Sequence, residues 1–181
     1  MAAFPYRQNV VFQGVRGSVL VPLVLRAVED TSLDPHVDIS VLLTVRSSKL
    51  RTHGGEVSFP GGKQDETDAN EVETALRETF EEIGIAPSSV DVLGRLDQAM
   101  SKHLLLVTPV IGIVREPYET KLNPSEVDEL FSVPLDMFLR DDDRHTQTDI
   151  DFGAPMRMHS FSFEGYRIWG LTANVLVQAG I

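Results

Sequence analysis

Apolar positions in this chain gather into short, β-branched runs more often than into helical stripes. In the first, Gly17 to Ala27, Val19, Leu20, Val21, Leu23, Val24 and Leu25 predict a buried strand in which Pro22 marks an edge or a bulge. Glu29 to Val37 is a polar loop. Val37 to Val45 begins by alternating and becomes mainly apolar, which predicts a second strand ending near Arg46. Ser47 to Glu56 reads as a basic, glycine-bearing loop. Val57 to Phe59 makes a short strand, halted by Pro60 and opened into a loop by Gly61 and Gly62.

The next run changes period. Val72, Leu76, Thr79, Phe80 and Ile83 form the inward stripe of a helix that Asp68 caps, with Glu71 completing a capping-box-like arrangement and Gly84 ending it. Glu78, Glu81 and Glu82 then lie off the buried face and address a cleft. Two strand-like runs follow, Val90 to Met100 and Leu104 to Val114, joined by a polar loop around Lys102 and His103. Asn123-Pro124-Ser125-Glu126 predicts a second, short helix ending before Pro134, because asparagine caps, proline suits the first turn and the glutamate reaches back. Asp141 to Asp143 is an acidic loop, Phe161 to Trp169 a hairpin turning at Glu164-Gly165, and a last helix runs from about Leu171. Strands outnumber helices and no repeat or linker divides them. Residues 1–16 therefore read as an N-terminal extension and 17–181 as one domain, a mixed sheet flanked by helices.

Composition adds exclusions. With 42% hydrophobic and 24% charged residues the chain has the balance of a soluble globular protein, and no run approaches the roughly 18 apolar residues of a membrane span. The start Met-Ala-Ala-Phe-Pro lacks the basic and apolar segments of a signal peptide, so an intracellular, non-secreted protein is expected, with cytoplasm, peroxisome and mitochondrion left open. The absence of cysteine excludes disulfides, thiolate metal sites and a cysteine nucleophile. A net charge of −11 argues against a nucleic-acid partner. An anionic small molecule remains compatible if cations are supplied locally, by a metal ion and a few arginines. Monomer and homodimer are both compatible with the sequence.

The chemistry concentrates on the first helix. At about 100° per residue Glu78 and Glu82 share a stripe with Glu81 beside them, so three carboxylates converge on one patch. Like charges at this spacing destabilise a helix by roughly 0.2–0.5 kcal/mol per pair, which a divalent cation held by oxygen ligands offsets. His53, His103, His145 and His159 make no ligand spacing with one another.

Gly61-Gly62 followed by Arg77-Glu78-x-x-Glu81-Glu82-x-Gly84-Ile85 resembles the Nudix box, the signature of the Nudix hydrolases. The chain departs from that pattern at Asp68, where glutamate is general, in the eight rather than seven residues before Arg77, and at Thr79, where an aliphatic residue is usual. Leu42-Leu43-Thr44-Val45-Arg46-Ser47, Arg51, Gly55 and Phe59-Pro60-Gly61-Gly62 are similar to the element marking the coenzyme A pyrophosphatase subfamily, as are Asn123-Pro124, Glu126-Val127-Asp128-Glu129 and Trp169-Gly170-Leu171-Thr172. The resemblance implies a Nudix fold, an α/β architecture with a mixed β-sheet sandwiched between α-helices. It also implies Mg²⁺ or Mn²⁺ held against a diphosphate by Glu78 and Glu82. Glu81 is then either a third ligand or the group that takes a proton from water. Arg77 either orients the carboxylates or makes an ordinary helix pair with Glu73 or Glu81. Arg46 and Arg51 are the substrate-binding cations, with Lys49 and Lys63 as weaker candidates, and Gly61 and Gly62 allow close backbone approach. Glu126 or Glu129 is an alternative base from a later loop. The expected activity is hydrolysis of coenzyme A or acyl-coenzyme A to 4′-phosphopantetheine species and adenosine 3′,5′-bisphosphate. The alternatives are a pyrophosphatase of other nucleoside diphosphate derivatives or oxidised nucleoside triphosphates, and a non-catalytic nucleotide-binding module.

Overall fold

Alternation along two central strands sets the layers of the molecule. In β1 (Arg16–Val28) Leu20 and Val24 face one side of the sheet and Val21 the other; in β2 (His36–Arg46) Leu42 and its neighbours Val41 and Leu43 divide in the same way. The computed structural model describes residues 14–28, 36–101, 105–140, 144–151 and 154–180. The remaining elements are β3 (Val57–Ser58), β4 (Gly61–Lys63), α1 (Glu71–Ile83), β5 (Val90–Arg95), β6 (Ala99–Met100), β7 (Leu106–Val114), β8 (Val127–Pro134), α2 (Leu135–Leu139), β9 (Arg144–Asp151), β10 (Ala154–Phe163), β11 (Tyr166–Trp169) and α3 (Gly170–Gln178).

The main sheet runs β3-β2-β1-β7-β5, with β4 also on β1, β6 on β7 and β8 on β2. The β1–β7 pair is parallel and the other pairs are antiparallel, so the sheet is mixed as expected. One face packs Leu20, Val24, Leu42, Val110 and Val114 against Ala75 and Ile83 of α1. The opposite face packs Val21, Val41, Leu43 and Val133 against α2, α3 and the β9-β10-β11 sheet through Phe138, Phe161, Ile168 and Leu176. Phe138 meets Phe161 edge to face at 5.1 Å, an arrangement worth about 0.5–1.5 kcal/mol beyond the burial itself. The result is the expected sheet between helices. No helix among the described residues is long and apolar enough to cross a membrane.

Several sequence expectations are corrected. Pro22 is buried in the central strand and marks neither an edge nor a bulge. Leu20 N–H donates to Pro60 O at 2.9 Å, and Pro22 turns its nitrogen to the same side, between the β4 pairing of 17–19 and the β2 pairing that begins at Leu23. No ladder bond is lost there, which is why proline is tolerated. Gly61 and Gly62 form a strand rather than a loop, pairing with Val19 and Ser18. The predicted second helix is a single turn at 124–126 followed by β8, because Val127, Val133 and Leu130 pack on the core while the backbone completes the free edge of β2. The Val90 to Met100 run is divided into β5 and β6, with a register shift between Val92 and Gly94. The hairpin turn at Glu164-Gly165 is as predicted, with both residues at positive φ (47° and 90°). The loops at Lys102-His103 and Asp141 to Asp143 lie outside the described residues.

Candidate active site

The helix α1 begins two residues later than the capping pattern predicts. Asn70 is its cap, accepting from Val72 N–H at 2.9 Å and Glu73 N–H at 3.1 Å, while Glu73 accepts from Ala69 N–H at 2.8 Å. Asp68 is thereby left for Arg77, whose Nε and Nη2 donate to its two oxygens at 2.9 Å each. The remaining reach of the guanidinium goes to Glu78 at 3.0 Å and Glu81 at 3.1 Å through Nη1, and to Lys63 O at 3.0 Å through Nη2. Arg77 thus has an i,i+4 partner, Glu81, and also pairs with Asp68 before the helix and with Glu78 beside it. The Arg77 fork, with Asp65 N–H and Thr74 Oγ1, holds the Asp68 carboxyl well below the usual range.

β4 carries the glycines beneath this cluster. A Cβ on Gly62 would sit 2.3 Å from the Glu78 carboxyl group, so the carboxylate lies directly over the bare backbone. Gly61, at φ 152°, leaves the same lack of room against Ser18 O and donates its N–H to Glu82 Oε2 at 3.0 Å. Gly62→Ala meets only the end of a flexible side chain, so the expected outcome is a Tm within a few degrees of wild type with activity reduced about tenfold or more by displacement of Glu78, read by thermal denaturation beside steady-state kinetics.

Glu82 departs from the expected cleft-facing placement. It is 3% exposed, turned under the helix toward Gly61 and Arg46, whose Nη1 stands 3.7 Å from its Oε1. Phe80, expected in the inward stripe, is instead 52% exposed, so the buried stripe is shifted by Thr74, Ala75 and Glu82. Burial pushes the Glu82 carboxyl up to about 7, against the Gly61 N–H and Arg46, with Glu126 and Glu78 adding to the rise. Glu78 is also raised, by burial first, with Arg77 opposing and the charges of Glu81 and Glu126 reinforcing. Glu81 remains outside, with half its side chain in solvent. Glu78 and Glu81 thus share Arg77, while Glu82 lies buried on Gly61 beside Arg46, near enough to Glu78 for the two charges to act on each other.

The 46–55 loop is fixed beside Glu82. Ser47 donates through Oγ to Asp128 Oδ1 at 3.0 Å and through N–H to Glu126 O at 2.8 Å, and Ser48 N–H donates to Asp128 Oδ2 at 2.8 Å. Arg46 Nε is buried with no hydrogen-bond partner among the described residues, while Arg51, Lys49 and Lys63 are exposed. Of the two later carboxylates, Glu126 reaches the cluster electrostatically, whereas Glu129 accepts from Tyr166 on the other side of the sheet. The turn-forming Asn123-Pro124 is the signal that locates Glu126, since Asn123 N–H donates to Glu82 O at 2.9 Å and carries the turn to the end of α1.

Among the described residues no three carboxylate or imidazole groups stand ready as a cage for an ion. The donor chemistry nevertheless fits a hard divalent cation: all-oxygen carboxylates, two of them raised by burial, with Glu78 seated where a Cβ would fill the space.

Comparisons with known proteins identify the family and the fold. The model of the NUDIX domain matches residues 28–152. Nudix hydrolase 15, mitochondrial, of Arabidopsis thaliana is 48% identical over 148 residues, covering 78% of this chain and 52% of that protein. The chain spans about half the length of this relative and of a second Arabidopsis one. The peroxisomal coenzyme A diphosphatase NUDT7 of Mus musculus is 37% identical over 170 residues, covering 91% of this chain and 68% of that one. A MutT/nudix family protein from Enterococcus faecalis superposes with a TM-score of 0.59 over 98% of this chain and 63% of its own, at 14% identity, a likeness of fold alone. A family model spanning most of the chain, met by a sheet that seats Glu78 on Gly62 and Glu82 on Gly61, makes this chain a member of the Nudix family.

Proposed function

We propose that the protein hydrolyses the diphosphate bond of coenzyme A or an acyl-coenzyme A, with Glu78 and Glu82 as the ligands of Mg²⁺ or Mn²⁺. The observation that carries the reading is the junction at Glu82, where a buried carboxylate meets both the glycine strand and Arg46, the first cation of the basic loop. The mouse relative's name supports the substrate, and residues 42–62 carry the features that separate it from the other nucleoside diphosphate derivatives.

A bound divalent cation supplies neutralisation of the diphosphate oxygens and a water of lowered pKa. Glu81, the most exposed of the three helix carboxylates, would accept the proton of the attacking water; Glu126 is the alternative acceptor, favoured by its charge acting on both Glu78 and Glu82. The water oxygen bonds to phosphorus as the bridging P–O bond breaks, and the electron pair leaves with the departing phosphate. Arg77 holds Glu78 and Glu81 in place without touching substrate. Arg46, partly exposed beside Glu82, and Arg51, with its exposed guanidinium, supply the cations for the phosphates, while Gly61 and Gly62 keep side chains out of the way.

The test compares coenzyme A with 3′-dephospho-coenzyme A, ADP-ribose, NADH and nucleoside triphosphates, with products separated. Coenzyme A is expected to have the highest kcat/KM. Loss of a charge-assisted contact worth roughly 1.5–3 kcal/mol predicts that Arg51→Ala reduces kcat/KM for coenzyme A about ten- to a hundredfold and for the 3′-dephospho form far less. Equal losses move Arg51 to the diphosphate, and a wild-type preference for ADP-ribose or a triphosphate overturns the substrate assignment.

A further inference from the structure

The structure carries a second binding element beside the carboxylates, a cavity of about 560 Å³ between the outer side of α1 and the 119–124 segment, within the roughly 300–1,000 Å³ of small-molecule sites. We infer that this cavity takes the uncharged, amide-bearing arm of the diphosphate substrate, the pantetheine half of coenzyme A. The inference rests on the reading of the protein as a coenzyme A diphosphatase and deepens it.

Three observations carry it. The first is position: on α1 Phe80 projects about 200° away from Glu82 with Glu81 between them, so the cavity lined by Phe80 and Glu81 opens on the side of the cluster away from Arg46. The second is that its walls are fixed. Lys121 N–H donates to Ile83 O at 2.8 Å and Asn123 N–H to Glu82 O at 2.9 Å, tying the far wall to the end of the helix that carries the carboxylates. The third is chemistry. Phe80, half exposed, faces a lining that includes Leu122 and Pro124, an apolar surface for methyl and methylene groups.

Charge decides which half of the substrate goes where. Lys121 is the single cation among the described lining residues, against Glu81, already shared with Arg77, and Glu119. A phosphate monoester placed there gains no net attraction, whereas amide N–H groups can donate to the Glu119 carboxylate. The 46–51 segment, with Arg46, Lys49 and Arg51, lies on the Glu82 side and offers the opposite environment. An asymmetric diphosphate therefore sorts itself, its 3′-phosphorylated nucleotide toward the basic loop and its neutral arm into the cavity.

Titration calorimetry on the full chain with Mg²⁺ separates the halves, using 4′-phosphopantetheine and adenosine 3′,5′-bisphosphate as ligands. Phe80→Ser, at an exposed position that circular dichroism checks for folding, is expected to weaken 4′-phosphopantetheine about tenfold or more and the nucleotide less than about threefold. Arg51→Ala is expected to do the reverse. An unchanged Kd for 4′-phosphopantetheine in Phe80→Ser, no measurable binding of it by wild type, or a larger loss for the nucleotide overturns the cavity assignment while a wild type that still cleaves coenzyme A leaves the functional reading standing. A wild type that does not cleave coenzyme A overturns both.

Discussion

Glu82→Gln is expected to lower turnover by at least about a hundredfold and, in the metal-free protein at pH 8, to raise stability. The first effect follows from the loss of a charged metal ligand, since the cation supplies several kcal/mol of charge stabilisation and tenfold is about 1.4 kcal/mol. The second follows from burial. The Glu82 carboxyl stands at about 7 in the fold against an ordinary 4.5, so the fold favours its protonated form. Its contribution to stability is fully present below about pH 4.5 and is lost as the pH rises to about 7, at most about 3 kcal/mol. Glutamine keeps an acceptor for Gly61 N–H without the buried charge. Denaturant titrations of metal-free protein from pH 5 to 8 should show a falling stability for wild type that is flattened in the variant, and Mg²⁺ should restore wild type alone. A variant no more stable than wild type at pH 8 sinks the assignment of Glu82 as an incompletely compensated buried charge.

Arg77→Ala is expected to fail in the opposite sense, losing stability as well as activity. It strips a two-pronged partner from Asp68, whose side chain is 5% exposed, and breaks the tie between Lys63 and the helix. Removing one member of a largely covered pair costs about 3 kcal/mol, and lysine does not replace the fork. The Asp68 carboxyl is depressed in the fold, so its contribution is present above its ordinary 3.8 and is lost as the pH falls below it. Arg77→Ala should therefore lower Tm at pH 7 while losing part of the acid sensitivity of wild type between about pH 4 and 2. An Arg77→Ala protein as stable as wild type, with only catalysis impaired, contradicts the positioning role and moves Arg77 onto the substrate.

The sequence was legible where one local signal agreed with the tertiary demand. β1 and β2 read correctly because their apolar runs are buried on both faces, and the Glu164-Gly165 turn because positive φ is required there. Asn123-Pro124 misled because a helix cap and a one-turn stop share the same hydrogen bonds; the open edge of β2 decided for a strand. Asp68 looked like a cap because spacing alone does not reveal that Arg77 claims it and leaves Asn70 to the helix. The largest misreading was Glu82, placed off the buried face by its charge. The approach of β4 beneath α1, with Gly61 N–H as donor, and of Arg46 at the end of β2 make burial of that carboxylate tolerable, and such long-range contacts have no local signature.

Coenzyme A hydrolysis is tested by incubating the purified chain with coenzyme A in the presence of Mg²⁺, and again with a chelator, and separating the products by chromatography. Expected are 4′-phosphopantetheine and adenosine 3′,5′-bisphosphate in equal amounts with the metal, no product with the chelator, and at most about a hundredth of the wild-type rate in Glu82→Gln. Cleavage that persists at the same rate in the chelator, or intact coenzyme A beside rapid hydrolysis of another nucleoside diphosphate derivative, would contradict the proposed function.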